Sequence, residues 1–462
     1  MPSKKPNILF IMTDQMRWDA MSCSGNWVKT PNLDRIAGEG IRFPNCVTTT
    51  PVCVPARLSL ATGWYPHNTG VWQNLQHDMS ADAPTWMQAV RDAGYRTSLF
   101  GKTHLHRHQG DLRDREELMQ GYGLDDIDEI GGPRASAWLR SHMTDRWAEK
   151  GLWEKYQEDY GERFGNKPWV VRPSVLPLEE YADVYVGQRA KEYLEQYDRS
   201  EPWFCWVSFG GPHEPWDTPE PYASMYDPDN MPEAVARPEK PTPDIPSVLK
   251  NRTDKKSPLT KKEIAEMRAN YAGNVTLIDD QIGDILKAVE ARGELENTVI
   301  LFSSDHGEMN GDWGLTYKST FLNGAVRVPL LVRTPEMAAS KEKDVICESM
   351  VEWIDIGPTL VELAGGELKH RHFAKSLVPV LENPDHEHRA EAISELQGEV
   401  MILNKEWKMA VNSEGEAYML FDVNNDPREE NNLAGRSDMK DVEQWLKIRM
   451  LERLVSAQKQ EP

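Results

Sequence analysis

Residues 7–15 read Asn7-Ile8-Leu9-Phe10-Ile11-Met12-Thr13-Asp14-Gln15, an apolar run that ends on a carboxylate and an amide. Three further runs have this form. Thr97 to Gly101 leads into Lys102-Thr103-His104, Trp203 to Gly210 into Gly211-Pro212-His213, and Thr298 to Ser304 into Asp305-His306-Gly307. Short runs rich in β-branched and aromatic residues read as strands buried on both faces of a mostly parallel sheet. In open α/β sheets ligands bind beyond the carboxyl ends of the strands, so the ionisable residues that follow each run are expected to share one cleft.

Helical patterns lie between these runs, around Leu33 to Gly40, Thr85 to Asp92, Glu179 to Tyr197 and Lys262 to Arg292, which gives the alternation of an α/β fold. Val328 to Arg333 adds another strand. From Pro212 to Pro258 the chain is rich in Pro, Asp and Lys with weak periodicity, and reads as a surface excursion that shapes substrate access. Beyond about Ala390 the pattern changes to short strand-like pieces, Glu399 to Leu403, Trp407 to Val411 and Ala417 to Asp422, then a helix over Glu443 to Leu454. These predict a catalytic α/β domain over 1–385 and a small C-terminal α+β subdomain over 386–462 carrying an antiparallel sheet.

Composition bounds the function. The 462 residues are 39% hydrophobic and 27% charged, as in a soluble globular protein. A net charge of −21 argues against a nucleic-acid partner, since phosphate binding needs clustered Lys and Arg. The apolar run after Met1 to Lys5 is too short for a secretory leader or a membrane span, so no membrane partner is expected. Five Cys, at 23, 46, 53, 205 and 347, are odd in number and scattered. They do not suggest a disulfide framework, and a cytoplasmic location is the expectation.

The run Cys53-Val54-Pro55-Ala56-Arg57, continued by Leu58-Ser59-Leu60-Ala61-Thr62-Gly63, resembles the C-x-P-x-R signature of the sulfatase family, within the alkaline-phosphatase superfamily. The second family signature is matched by Gly94-Tyr95-Arg96-Thr97 with Gly101-Lys102. Further matches are Asp305-His306-Gly307-Glu308, Tyr317-Lys318-Ser319-Thr320, and the stretch from Leu420-Phe421-Asp422 to Asn431-Asn432-Leu433. They occur in the family's order. The resemblance implies an alkaline-phosphatase-like fold, with a large mixed, mostly parallel sheet between helices. It implies that a maturation enzyme oxidises Cys53 to formylglycine, whose hydrated aldehyde is the nucleophile. It also implies a divalent cation held by Asp14, Gln15, Asp305, His306 and an oxygen of the modified Cys53.

The commoner family pattern has a second Asp where this chain has Gln15 and an Asn where it has His306. The combination here looks like choline-sulfatases and phosphonate monoester hydrolases, and its softer, less charged donors make Mn²⁺ competitive with Ca²⁺. Arg57, Lys102 and Lys318 resemble the family's cationic site residues. His104 resembles the base that deprotonates the second hydroxyl of the aldehyde hydrate, and His213 the acid that protonates the leaving group. Val54, Phe100 and Thr103 depart from the usual choices.

The leading expectation is hydrolysis of a sulfate monoester, arylsulfatase-like. One alternative is a phosphonate monoester or phosphodiester hydrolase using the same groups. Another is a metal-dependent anion-binding protein in which Cys53 stays a thiol. The resemblance leaves a homo-oligomer open. Among the remaining residues, His106 and His108 are expected on a solvated or substrate-facing stretch, Trp203 and Trp206 in strand packing, and Asp279 and Asp280 on a solvated helix face. Trp72, Trp216, Tyr222 and Tyr226 are candidates to meet the organic part of the substrate.

Overall fold

The computed structural model describes residues 5–74, 78–166, 170–236 and 259–458. Its centre is an eight-stranded sheet of β1 (Asn7–Thr13), β2 (Ile41–Arg42), β3 (Arg96–Gly101), β4 (Asp126–Glu129), β5 (Trp203–Ser208), β6 (Thr298–Ser304), β7 (Leu330–Arg333) and β8 (Val345–Ile346), in the order β4-β3-β5-β1-β6-β7-β2-β8. The strands from β4 to β6 are parallel. β7 runs antiparallel to both β6 and β2, which makes the sheet mixed.

β1 sits in the middle, and all seven of its residues are buried. Leu9 and Ile11 join the core on one face, while Ile8, Phe10 and Met12 join the core on the other. That double burial explains why the run is apolar throughout rather than alternating. Trp203 and Trp206 are buried in strand packing as expected.

Helices cover both faces. α1 (Pro31–Gly38), α2 (Cys53–Thr62), α3 (Trp86–Asp92), α4 (Trp153–Asn166), α5 (Ala182–Gln196) and α6 (Lys261–Ala291) precede α7 (Lys440–Ser456) near the C-terminus. Val184, Val186 and Ala190 of α5 pack with Val275, Ile278 and Ile282 of α6 on one face. Leu58 and Leu60 of α2 and Met87 and Val90 of α3 pack on the other.

Asp279 corrects the expectation of a solvated face. It is buried on α6 and accepts from the backbone N–H groups of Asn32 (3.0 Å) and Leu33 (2.8 Å), capping α1 from outside the helix. Burial pushes its pKa up to about 6. Asp280 is exposed, as expected.

The C-terminal antiparallel sheet has four strands, β9 (Glu391–Leu396), β10 (Glu399–Asn404), β11 (Trp407–Val411) and β12 (Ala417–Asp422), and α7 packs against it through Leu446 and Met450. β9 is not legible as a strand in the sequence because two of its six residues are glutamates. Both glutamates are buried and paired with partly exposed bases: Glu395 with His67 at 2.7 Å and Glu391 with Arg449 at 2.8 Å. The surface excursion after Pro212 is described as far as residue 236. Residues 237–258 lie outside the described part.

Candidate active site

The strands β3, β5, β1 and β6 lie side by side and parallel, so their carboxyl ends deliver Lys102 to His104, Gly211 to His213, Asp14 with Gln15, and Asp305 with His306 to one edge of the sheet. Cys53 is the first residue of α2, and the start of that helix faces this edge. Its Sγ lies 3.0 Å from His306 Nε2 and 3.9 Å from Asp14 Oδ1. Asp14, Cys53, Asp305 and His306 each offer a donor atom, all within 4.8 Å of one another.

The orientation of each donor is fixed from behind. His306 Nδ1 lies 3.0 Å from the Gly307 carbonyl, which places a proton on Nδ1 and turns Nε2 toward Cys53. The Gln15 amide nitrogen donates to Glu214 (2.7 Å) and Glu308 (2.5 Å), so its oxygen faces the opposite way and accepts from Lys318. Gln15 itself has a positive φ of 70° and its N–H donates to Asp305 Oδ1 at 3.1 Å. Two carboxylates, one imidazole and the Cys53 position are a donor set suited to a divalent cation, and these four residues fit one.

Arg57, expected beside the modified Cys53, reaches further. Its guanidinium joins both carboxylates, Asp305 at 2.8 Å and Asp14 at 3.0 Å, with all three side chains fully buried. Lys102 adds a 2.5 Å contact to Asp14. Burial and the adjacent Cys53 oppose ionisation of Asp14, but Lys102, His213 and Arg57 hold it well below the usual carboxylate range. Burial likewise opposes ionisation of Cys53, yet Lys318, His306 and Lys102, with a hydrogen bond from His104, draw its pKa well below that of an ordinary thiol. An anionic group at this position is therefore matched by cations on several sides.

His104 has a positive φ of 60° and a Nδ1 atom with no hydrogen-bond partner among the described residues. Burial, Lys102 and His108 hold it neutral. His213 sits across the site, its Nε2 2.9 Å from Lys318 Nζ and its Nδ1 2.7 Å from the Glu214 carbonyl.

His106 and His108 are not solvated. His106 is buried with Nε2 2.6 Å from Glu129, and His108 lies 3.2 Å from the same carboxylate, its ring 4.5 Å from that of His104. Thr103 Oγ1 also donates to Glu129. One buried carboxylate at the end of β4 thus gathers the loop that carries His104. Sequence reading missed Glu129 because β4, Asp-Ile-Asp-Glu, carries no apolar signal. It also gave no role to Glu214 and Glu308, although both lie within or beside quoted motifs, or to Asn74, whose Oδ1 accepts from the Val54 N–H at 2.9 Å.

A cleft of about 680 Å³ opens over Cys53, Lys102, His104, His213 and Lys318. Its outer wall includes Trp138, Phe164 and Tyr317, not the aromatic residues expected from the sequence. Trp216 is buried and stacks on Tyr317. Tyr222 is tied to Asp280 and Tyr226 to Thr276, both on α6. Trp72 is half-buried away from this lining.

The sulfatase family profile matches residues 6–366. This chain belongs to the sulfatase family. A second profile, for the C-terminal part of N-sulphoglucosamine sulphohydrolase, matches residues 311–457 of this sulfatase. It is similar to an arylsulfatase of Clostridium perfringens, 28% identical over 97% of this chain and 94% of the relative. It is also similar to a choline-sulfatase of Rhizobium meliloti, 29% identical over 94% of this chain and 83% of the relative. Among solved structures, the phosphonate monoester hydrolase of Agrobacterium radiobacter superposes with a TM-score of 0.80 at 25% identity, covering 98% of this chain and 96% of that one. The sulfatase is thus a sulfuric ester hydrolase with the alkaline-phosphatase-like fold, and the binding-only reading of the sequence is set aside. Among the described residues, none of its helices is long and apolar enough to cross a membrane.

Proposed function

We propose that this sulfatase hydrolyses a sulfate monoester to an alcohol and inorganic sulfate, using formylglycine formed from Cys53 and one divalent cation held by Asp14, Gln15, Asp305 and His306. The observation that carries this reading is the placement of Cys53. It heads a helix, touches His306, and lies among Lys102, Lys318, His104 and His213 at the ends of four strands. A bound cation would supply Lewis acidity toward an oxygen of the sulfuryl group, and the hydrated aldehyde would supply one hydroxyl as nucleophile and a second whose deprotonation expels sulfate on the first oxygen as the aldehyde re-forms.

The chain's own residues do the rest. Arg57 bridges Asp14 and Asp305, fixing their spacing, and helps keep Asp14 ionised. Lys102 and Lys318 offset the negative charge that gathers on the sulfuryl oxygens. His104, held neutral and hydrogen-bonded to Cys53, is suited to exchange a proton with the group at the Cys53 position. His213 is placed to give a proton to the leaving oxygen from Nε2. That role needs Lys318, which donates to Nε2 in this arrangement, to turn to the sulfate, and the Glu214 carboxylate lies 3.3 Å from Nδ1 on the far side of the ring.

The outer wall of the cleft supports an aryl or sugar sulfate over choline sulfate. Trp138 is 54% exposed there and offers a flat apolar face, while Arg107 and Arg134 line the same rim and would repel a quaternary ammonium. A second reading, a phosphonate monoester or phosphodiester hydrolase, is favoured by the Asp14/Gln15 with Asp305/His306 donor set and by the close superposition on a hydrolase of that kind.

Peptide mass spectrometry across Cys53, in protein co-expressed with a formylglycine-generating enzyme, tests the nucleophile. The aldehyde or its hydrate is expected, with turnover of 4-nitrophenyl sulfate that Cys53→Ala abolishes without unfolding the chain. Unmodified Cys53, or full activity in the variant, removes the mechanism. Faster turnover of a phosphonate monoester than of any sulfate ester selects the second reading.

A further inference from the structure

The outer face of α7 is apolar where a soluble helix should be polar. Trp445, Ile448, Leu451 and Val455 are 46%, 48%, 61% and 56% exposed, and they are half of the exposed large hydrophobic residues described in the whole chain. Their spacings of three, three and four residues put them on one stripe. The opposite face of α7 is already used: Leu446 and Met450 are buried against the C-terminal sheet. This helix of 17 residues therefore carries two apolar faces, of which the fold satisfies one.

The stripe is nearly symmetric about Met450. Trp445 lies five residues before that centre and Val455 five after, while Ile448 lies two before and Leu451 one after. An antiparallel copy of the same helix, related by a two-fold axis through the centre, sets Trp445 against Val455 of the other copy at both ends, large beside small. It sets Ile448 against Leu451 of the other copy in the middle. Isologous contacts need this self-complementarity, because every residue meets its counterpart's partner. The flanking charges obey the same symmetry. Arg449 and Glu452 run along the edge of the stripe on the Trp445 side, one residue before and two after the centre, so Arg449 of each copy faces Glu452 of the other. Within one chain they already pair at 2.6 Å, and both keep exposed surface, 36% and 56% of their side chains.

We propose that this face is a dimer interface and that its occupant is α7 of a second copy of this chain, packed antiparallel. One helix face per chain is at the small end of specific interfaces, so the dimer is a concentration-dependent equilibrium rather than an obligate state. The interface is formed by the C-terminal helix and uses none of the residues that line the catalytic cleft. It is thus independent of which ester the enzyme cleaves.

Sedimentation velocity over about 1 to 100 µM tests it, the range in which an interface this small is expected to associate. The weight-average mass of the wild-type chain should climb from that of one chain toward that of two. Leu451→Glu, which sets charge against apolar surface, should raise the dissociation constant about 100-fold or more with the melting temperature kept. Orientation is read by disulfide trapping. A mixture of the Trp445→Cys and Val455→Cys proteins should give a covalent dimer under mild oxidation, and neither protein alone should, since identical positions lie far apart in an antiparallel pair. A wild-type chain that stays monomeric to the highest concentration overturns the proposal. So does a Leu451→Glu variant that dimerises as well as wild type, or a cross-link formed by either cysteine variant alone.

Discussion

Glu129→Gln isolates the carboxylate that gathers the His104 loop. Glu129 is buried and receives Thr103 Oγ1, His106 Nε2 at 2.6 Å and His108 Nε2 at 3.2 Å. His106 Nδ1 is taken up by the Arg107 carbonyl at 3.0 Å, so both ring nitrogens donate and the ring is an imidazolium. Removing one partner of a buried ion pair costs about 3–5 kcal/mol. The amide keeps the shape, and His106 can shed its proton, so the low end of that range is expected. Burial pulls the His106 pKa down, and Glu129 more than reverses it. Its stabilisation is therefore complete below its unfolded value and lost as pH rises through the raised folded value. Burial pushes the Glu129 pKa up, and His106 and His108 more than reverse that, so its stabilisation is present above its unfolded value and lost as pH falls. The wild-type advantage is then largest between about pH 4.5 and pH 6.5, the two unfolded values, and shrinks on either side. Urea unfolding of both proteins across this range and up to about pH 9 measures it. A difference under about 1 kcal/mol near pH 5.5, or one unchanged at the alkaline end, refutes the buried-pair reasoning. The variant's kcat should fall more than its KM rises, because the loop it loosens carries the proposed base and not the outer wall of the cleft.

His213→Ala should slow esters of poor leaving groups by about 100-fold or more and those of 4-nitrophenol far less, and equal losses across the series would remove its acid role. Gln15→Glu should weaken the fold by about 2–4 kcal/mol in chelator, because two hydrogen bonds to Glu214 and Glu308 become like-charge contacts. Mn²⁺ or Ca²⁺ should restore part of that loss, and thermal melts with and without the cation read both effects. A variant as stable as wild type in chelator would mean that the amide nitrogen does not face the two carboxylates.

The fold was legible where one physical rule dominates. β1, β5 and β6 are buried on both faces, so their side chains have no polar face to show, and unbroken apolar runs marked them. The position of Asp14, Lys102, His213 and Asp305 followed from the same runs, since a parallel sheet presents the residues after its strands at one edge. What the sequence hid is what long-range pairing supplies. Glu391 and Glu395 spoil the alternation of β9 until Arg449 and His67 neutralise them from elements far away in the chain. Asp279 looks like a solvated helix residue until the start of α1 arrives against it. Glu129 sits on a short charged strand, and three residues of another loop give it meaning.

The supporting carboxylates follow a common logic. Glu129, Glu214 and Glu308 do not offer themselves to the proposed cation. Each instead fixes the direction of a group that faces Cys53 or its neighbours: the loop of His104, the ring of His213, the amide of Gln15. Removing such a residue should therefore alter the pH profile and the metal preference before it alters affinity for the organic part of the ester, because the groups it orients are those that move protons or donate to the cation. Loss of affinity with an unchanged pH profile would place these carboxylates in substrate binding instead.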